Sequence, residues 1–124
     1  MDNADDKREA PAEQQKREKP WGYERAVAEF RGLFLKELFF RAGKTSSLHY
    51  HEKKDELFYI ARGLVKIVLA DHEVQLGPGD TIHIHPGERH RIVPLKDTLI
   101  LEVSTRLFGD IHRIEDAYHR PSDE

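Results

Sequence analysis

Cysteine is absent from the 124-residue sequence, which excludes a disulfide framework, a thiolate nucleophile and a zinc site built from cysteines. Long hydrophobic runs are also absent, because no stretch approaches the roughly 18 consecutive apolar residues of a membrane span. The formal charge is only −3, so the overall charge of the chain does not favour binding to nucleic acid or anionic lipid. The acidic start of the chain does not resemble a secretory signal. We expect a soluble, cytoplasmic protein of one domain with no nucleic-acid or membrane partner.

The charged residues are not spread evenly along the chain. Residues 1–19 hold charges of both signs and almost nothing larger than alanine that could be buried. We interpret residues 1–18 as a disordered tail and residues 19–120 as the folded domain. Eight histidines are the most informative count in the sequence, because imidazole binds metals and exchanges protons near neutral pH.

Beyond the tail, the apolar residues come in short runs separated by glycine, proline and aspartate, and no long stretch shows a helical period. This pattern predicts an all-β fold, either a sandwich or a small barrel. The expected strands are residues 23–29, 33–41, 46–51, 57–61, 65–70, 73–76, 81–85, 90–94 and 98–104. The turns at Arg62-Gly63 and Asp71-His72 are expected to join hairpin-like pairs. Only residues 111–118 are typical of a short C-terminal helical segment.

A histidine-rich segment gives the strongest functional signal. His49 and His51 stand two apart on an expected strand, so both imidazoles project to the same face. Glu56 opens the next strand and can offer a carboxylate oxygen from the antiparallel neighbour. A Pro86-Gly87 turn then leads to His90 at the start of a further strand. Three neutral nitrogen donors and one oxygen suit one divalent ion of Mn, Fe, Co, Ni or Zn, with positions left open for water or substrate.

The two segments resemble the two sequence motifs of the cupin superfamily. The first motif matches at every fixed position, at Gly43, His49, His51, Glu56 and Gly63. The second motif matches at Gly79, Gly87 and His90. His85 stands in place of that motif's proline and Pro94 in place of its final asparagine. The resemblance implies a single-domain jelly-roll β-barrel that holds one metal ion through His49, His51, Glu56 and His90.

Three further segments are similar to the cupin domain of mannose-6-phosphate isomerases of the type fused to sugar-1-phosphate nucleotidyltransferases, and to its small stand-alone relatives. They are residues 19–24, 101–103 and 109–120, so the similarity covers about Lys19 to Arg120. The resemblance implies aldose–ketose isomerisation of a sugar or sugar phosphate. The metal would bind neighbouring carbonyl and hydroxyl oxygens, and a base would move a proton between adjacent carbons.

Glu102 is the candidate base, because it is a carboxylate within an otherwise apolar strand. The alternative is a structural role, in which Glu102 pairs with a cation such as Arg113 and holds the ends of the domain together. Arg89, Arg91 and Lys36 are the candidates to bind a substrate phosphate. Solvation at the surface is the alternative for each of these three.

The remaining histidines are expected outside the metal site. His72 falls in a turn, and His112 and His119 lie near the C-terminus. If the isoleucines of their strand face the core, alternation directs His83 and His85 outward.

Two broader alternatives stay open. Cupin sites also serve enzymes of other chemistry, such as dioxygenases and decarboxylases, and non-catalytic modules that bind a sugar or effector, because a fold does not fix a function.

A homodimer is expected, since the exposed sheet edges of a small barrel need cover and Trp21 carries a large aromatic surface. Packing of Trp21 onto its own barrel is the alternative.

Overall fold

The computed structural model describes residues 16–106 and 109–121, which contain eleven strands and no helix. The strands are β1 (Lys16–Lys19), β2 (Gly22–Phe30), β3 (Leu33–Phe40), β4 (Leu48–His51), β5 (Glu56–Arg62), β6 (Val65–Leu69), β7 (Glu73–Leu76), β8 (Thr81–Ile84), β9 (His90–Pro94), β10 (Thr98–Ser104) and β11 (Ile111–Glu115). All nine expected strands are present, so the all-β prediction is confirmed. Within the described part of the chain, no helix is long and apolar enough to span a membrane.

The strands form two antiparallel sheets. One sheet has six strands in the order β1-β2-β3-β10-β5-β8, and the other has five in the order β11-β4-β9-β6-β7. Successive strands such as β4 and β5, or β8 and β9, lie in different sheets. The chain therefore crosses between the layers where the two sequence motifs lie, which brings side chains from both motifs into the space between the sheets.

The hydrophobic core fills that space, because strand alternation turns every second side chain inward. Phe58 and Ile60 of β5 and Val65 of β6 are at most 2% exposed. Trp21 stacks on Phe40, with their ring centroids 3.9 Å apart, and is itself buried. Trp21 therefore packs onto its own barrel, and it offers no aromatic surface to a second copy of the chain.

The predicted C-terminal helix is wrong. Ile111–Glu115 forms β11, which pairs antiparallel with β4 and places Arg113 opposite His49. The backbone hydrogen bonds offered by the edge of β4 outweigh a weak local preference for helix. At the other end of the chain, residues 16–18 of the expected tail lie in β1 and pair with β2, while residues 1–15 lie outside the described residues.

The two expected hairpin turns differ in what they connect. Asp71-His72 joins β6 to β7, which pair as a hairpin. Arg62-Gly63 does not close a hairpin, because β5 and β6 lie in different sheets. Gly63 has a φ of +103°, and a Cβ there would lie 2.4 Å from the carbonyl oxygen of Asp97 and 2.6 Å from the Cα of Thr98. The crossing between the sheets therefore requires glycine at this position.

Candidate metal centre

Strands β4, β9 and β5 bring four polar side chains together between the sheets. His49 and His51 project from the same face of β4, and His90 of β9 stands opposite His49 in the strand register. Glu56, the first residue of β5, approaches from the six-stranded sheet. All four side chains are buried. The structure thus brings together the four residues whose spacing suggested a metal site.

The donor atoms of this cluster converge. The ligand atoms of His49, His51 and His90 lie within 4.8 Å of one another. Glu56 Oε1 lies 3.3 Å from His90 Nε2 and 3.7 Å from His51 Nε2. Although they lie 3.3 Å apart, Glu56 Oε1 and His90 Nε2 form no hydrogen bond with each other or with any other group among the described residues, and both are buried. Unpartnered buried polar atoms are costly, so this set of nitrogen and oxygen donors fits a divalent ion.

Neighbouring groups orient two of the imidazoles. His49 Nδ1 lies 2.8 Å from Ser47 Oγ and 3.0 Å from the carbonyl oxygen of Ser47. His90 Nδ1 lies 3.0 Å from the carbonyl oxygen of Glu88. When the Nδ1–H group of an imidazole donates a hydrogen bond to a carbonyl, Nε2 carries no proton and its lone pair can bind a metal. Both rings therefore have the orientation that a metal ligand needs.

Burial sets the protonation states in the cluster. Burial lowers the pKa of His51 to about 4. Burial, together with the neighbouring imidazoles of His90 and His51, lowers the pKa of His49 well below 6.5. Burial would raise the pKa of the Glu56 carboxyl, but the Lys54 ammonium and the neighbouring histidines hold it well below its usual range. At neutral pH, His49 and His51 are therefore neutral and Glu56 is ionised, which are the forms that bind metal.

Lys54 belongs to this site, although the sequence did not single it out. Its Nζ lies 3.2 Å from Glu56 Oε2 and 2.9 Å from Glu102 Oε2. Glu102 is buried and lines the same cavity as the histidines. The expected alternative partner of Glu102, Arg113, lines the same cavity and donates a hydrogen bond to the carbonyl oxygen of Pro121. Lys54 is a cation in direct contact with Glu102.

The cluster borders a cavity of about 710 Å³ that includes its opening to solvent. Cationic side chains outnumber carboxylates in its lining. The cations are Arg17, Lys19, Lys36, Lys54, Arg113 and Arg120, and the carboxylates are Glu24, Glu56 and Glu102. The lining carries an excess of three positive formal charges when the histidines are neutral, and an excess of two remains when the pairing of Arg120 with Asp116 is included. This excess favours an anionic ligand.

The expected phosphate-binding residues divide between cavity and surface. Lys36 lines the cavity, with its Nζ 2.8 Å from Glu24 Oε2. The structure does not bring Arg89 or Arg91 there: Arg89 is exposed, and Arg91 contacts Glu115. The alternation of side chains along β9 explains why Arg91 points away from the cavity, because the residues on either side of it face the core. Arg17 was missed because residues 1–18 have the composition of a tail. Lys19, Arg113 and Arg120 were missed because the pairing of β1 with β2 and of β11 with β4, which brings these parts of the chain to the cavity, was not predicted.

The other described histidines lie outside the cluster. His83 and His85 are exposed, as strand alternation predicted, and His83 contacts Asp55. His72 is exposed in its turn, and the ring of His112 stacks on Tyr50 with centroids 4.8 Å apart.

Comparison with known sequences gives a family match. The family model described as the cupin domain matches residues 38–103. A protein of Methanocaldococcus jannaschii, described as uncharacterized, is 34% identical over 67 residues. That match covers 50% of this chain and 54% of the relative, so the chain spans about half the length of the relative.

Solved structures share the fold. KdgF from Halomonas sp. has a TM-score of 0.70 at 24% identity, with 77% of this chain and 89% of that chain covered. A cupin-superfamily sugar phosphate isomerase from Silicibacter pomeroyi has a TM-score of 0.61 at 22% identity, covering 73% and 64%. The capsular polysaccharide assembling protein CapF from Staphylococcus aureus has a TM-score of 0.70 at 18% identity, covering 86% and 32%. At these identities the likeness shows the fold alone.

Proposed function

The chain belongs to the cupin domain family, and from this premise we propose that it is a metal-dependent aldose–ketose isomerase of a sugar or sugar phosphate, of the mannose-6-phosphate isomerase type. One observation carries the proposal: a converging set of metal donors and a separate buried carboxylate, Glu102, line the same cation-rich cavity. Isomerisation by proton transfer needs these two elements, an electrophile and a base, within reach of one substrate.

We assign the metal ligands to His49, His51, His90 and Glu56. Their burial, their protonation states and the unpartnered atoms among them support this assignment. A divalent ion of Mn, Fe, Co, Ni or Zn held there supplies Lewis-acid stabilisation of the negative charge that develops as the proton moves. The side chains themselves orient the substrate and exclude water from it.

The charge of the cavity supports an anionic substrate. Its excess of positive side chains would favour a phosphate or another acidic group on the sugar. Lys36 remains a candidate to contact that group, and Arg17 and Arg113 join it because they line the cavity. Some solved cupins with this fold are described as sugar phosphate isomerases, which agrees with this substrate class.

Glu102 is the residue that we assign as the base. It lies on β10, where it is 2% exposed, and its carboxylate faces the cavity rather than solvent. The Lys54 ammonium beside it keeps the carboxylate at a fixed place on the cavity wall. A carboxylate so placed can accept a proton from one substrate carbon and return it to the next.

The test is turnover of mannose 6-phosphate and related sugar phosphates by protein loaded in turn with each of the five metals. Exchange of the substrate's C2 proton with deuterated solvent, followed by nuclear magnetic resonance, measures the proposed step directly. Exchange that depends on the metal and is lost in His51→Ala supports the isomerase. If no metal gives exchange, the isomerase is contradicted. Oxygen consumption by the iron form would then indicate a dioxygenase, and a thermal shift with sugar alone would indicate a binding module.

We also propose that the protein is a homodimer joined through the outer face of the six-stranded sheet. Leu57 of β5 and Val103 of β10 are neighbours in the strand register on that face and are 41% and 39% exposed. Tyr59, on the same face of β5, is 42% exposed. Adjacent apolar side chains on a sheet face support burial against a second copy.

A further inference from the structure

Lys54 lies in the loop between β4 and β5, yet its side chain turns inward. It is 7% exposed, whereas the neighbouring Lys53 is an exposed residue. Asp110 fixes the path of the loop, because its Oδ2 accepts the backbone N–H of Lys53 at 2.8 Å and of Lys54 at 3.0 Å. Thr105 Oγ1 accepts the N–H of Asp55 at 3.0 Å. Backbone contacts therefore fix the loop from which the Lys54 side chain enters the cavity, and the contacts with Glu56 and Glu102 hold its ammonium group there.

The ammonium group separates the two oxygens of Glu56. Oε2 lies 3.2 Å from Lys54 Nζ, while Oε1 faces His90 Nε2 at 3.3 Å. A carboxylate held in this way directs one oxygen at the histidine cluster. Carboxylates without such a partner bind divalent ions through either one or both oxygens. The contact with Lys54 thus restricts how Glu56 can serve as a ligand.

The same ammonium group also holds Glu102. Lys54 Nζ lies 2.9 Å from Glu102 Oε2, and Glu102 is two residues from Ser104, which pairs with Glu56 in the strand register. Glu56 and Glu102 therefore project from the same face of adjacent strands with one cation between them. Two buried carboxylates this close would repel each other without that cation.

We propose that Lys54 is a positioning residue that limits Glu56 to one metal-directed oxygen and so keeps a coordination position open for substrate beside Glu102. This role rests on the proposed metal centre, but it does not depend on which reaction the protein catalyses. The role predicts an unusual pattern: loss of the lysine should strengthen metal binding and weaken binding of a further ligand to the metal.

The experiment uses Co²⁺ as the metal and azide as a small anion that occupies an open coordination position, both followed by visible absorption of the full-length protein. Lys54→Met keeps an unbranched side chain that ends one atom short of the ammonium nitrogen, and it removes the charge. We expect this variant to bind Co²⁺ at least tenfold more tightly and with a weaker visible absorption per ion, because Glu56 can then supply both oxygens and raise the coordination number. Loss of a repelling charge alone would tighten binding without changing the absorption spectrum, and that result would overturn the positioning role. Azide should bind at least tenfold more weakly to the Co²⁺-loaded variant.

Two variants serve as matched controls. Lys53→Met removes a charge from the same loop, but from an exposed side chain, and should leave both affinities unchanged. Lys54→Arg keeps a cation beside Glu56 and should return both affinities towards those of the wild-type protein. If Lys54→Met does not fold, Lys54→Met/Glu102→Gln removes a buried carboxylate charge together with the ammonium. That double variant is then compared with Glu102→Gln alone.

Co²⁺ binding by a folded Lys54→Met variant that equals or falls below that of the wild type would overturn the proposal. Weaker binding is the result expected of a lysine that only stabilises the loop. Absence of Co²⁺ binding by the wild-type protein would instead overturn the metal centre itself, and the proposed function with it. The two failures are therefore distinguishable.

Discussion

The carboxylate of Glu102 lies 2.9 Å from the ammonium group of Lys54, inside the cavity that also holds the histidine cluster. Lys54 contacts Glu56 as well, at 3.2 Å. Neutralising Glu102 therefore leaves the buried lysine with a second carboxylate partner. This arrangement makes it possible to separate a chemical role of Glu102 from a structural one by a single substitution.

Glu102→Gln should reduce turnover and exchange of the C2 proton by about 10²–10⁴-fold, because an amide keeps the shape of the side chain but cannot accept a proton. Metal content and melting temperature should change little, since the ammonium group of Lys54 still pairs with the carboxylate of Glu56. Glu37→Gln is the matched control: Glu37 is an ion-paired carboxylate on the adjacent strand β3 that faces outward and contacts Arg25. A loss of turnover in Glu102→Gln that only follows a loss of folded protein would indicate a structural role instead.

His51→Ala should lower the bound metal well below one ion per chain and lower the melting temperature of the metal-treated protein, because metal binding is linked to folding. Elemental analysis of the purified variant measures the first effect and thermal unfolding the second. His83→Ala, which removes an exposed imidazole on β8, should keep the metal content of the wild type. Unchanged metal content in His51→Ala would argue against the assigned ligands.

Acid should destabilise the metal-free protein between about pH 6.5 and pH 4. Burial lowers the pKa of His51 from 6.5 to about 4, so in this window the unfolded chain binds a proton that the folded chain does not. Stability therefore falls as pH falls, by on the order of 1–3 kcal/mol for this group. Thermal melting of chelator-treated protein across that range is the measurement. His51→Gln should reduce this pH dependence without removing it, because burial also lowers the pKa of His49. His72→Gln, which alters an exposed side chain, should keep the wild-type dependence. A wild-type stability that does not change over this pH range would contradict the lowered pKa of His51.

Light scattering should return about 29 kDa at micromolar concentration, twice the 14.5 kDa mass of the chain. Leu57→Lys should give the mass of one chain, because a charge would then lie within the proposed interface. Leu95→Lys alters a side chain of similar exposure in the turn between β9 and β10, and should leave the dimer intact. A wild-type mass of one chain would refute the dimer.

Gly63→Ala should lower the free energy of unfolding by on the order of 1–3 kcal/mol or more, because the added Cβ would clash with the backbone of Asp97 and Thr98 at a positive φ. Chemical denaturation measures this change. Gly77→Ala is the control, since a Cβ there would meet no atom within 4 Å. Equal stability of the two variants would mean that the crossing from β5 to β6 can shift to accept a side chain.

The pairing of His49 with His51 could be predicted from the sequence because its geometry is local, whereas Glu56 and His90 were predicted from their positions in the two cupin motifs. Two residues that stand two apart on a strand share a face, so His49 and His51 needed only the assignment of β4. The alternation of β8 likewise placed His83 and His85 at the surface. Outward placement of Arg91 follows from the same rule, since its neighbour His90 faces inward, and it agrees with the surface alternative stated for Arg91.

The rest of the site depends on contacts between distant parts of the chain. The backbone of Lys54 is held by Asp110, 56 positions away, and nothing in the loop sequence distinguishes Lys54 from Lys53. Arg17 comes from a segment whose composition is that of a tail, and only pairing with β2 brings it to the cavity. Residues 111–115 of the expected helical segment form a strand for the same reason, because the open edge of β4 determined their structure.

The proposed ligands come from both layers of the sandwich: three imidazoles from the five-stranded sheet and the Glu56 carboxylate from the six-stranded sheet. An ion bound to all four would link the two sheets to each other. Its removal should loosen one layer against the other before the whole chain unfolds, and amide hydrogen exchange in β4 and β9 should accelerate first. A cell short of the metal would then lose this protein through proteolysis of the loosened sandwich, rather than accumulate an inactive but intact form.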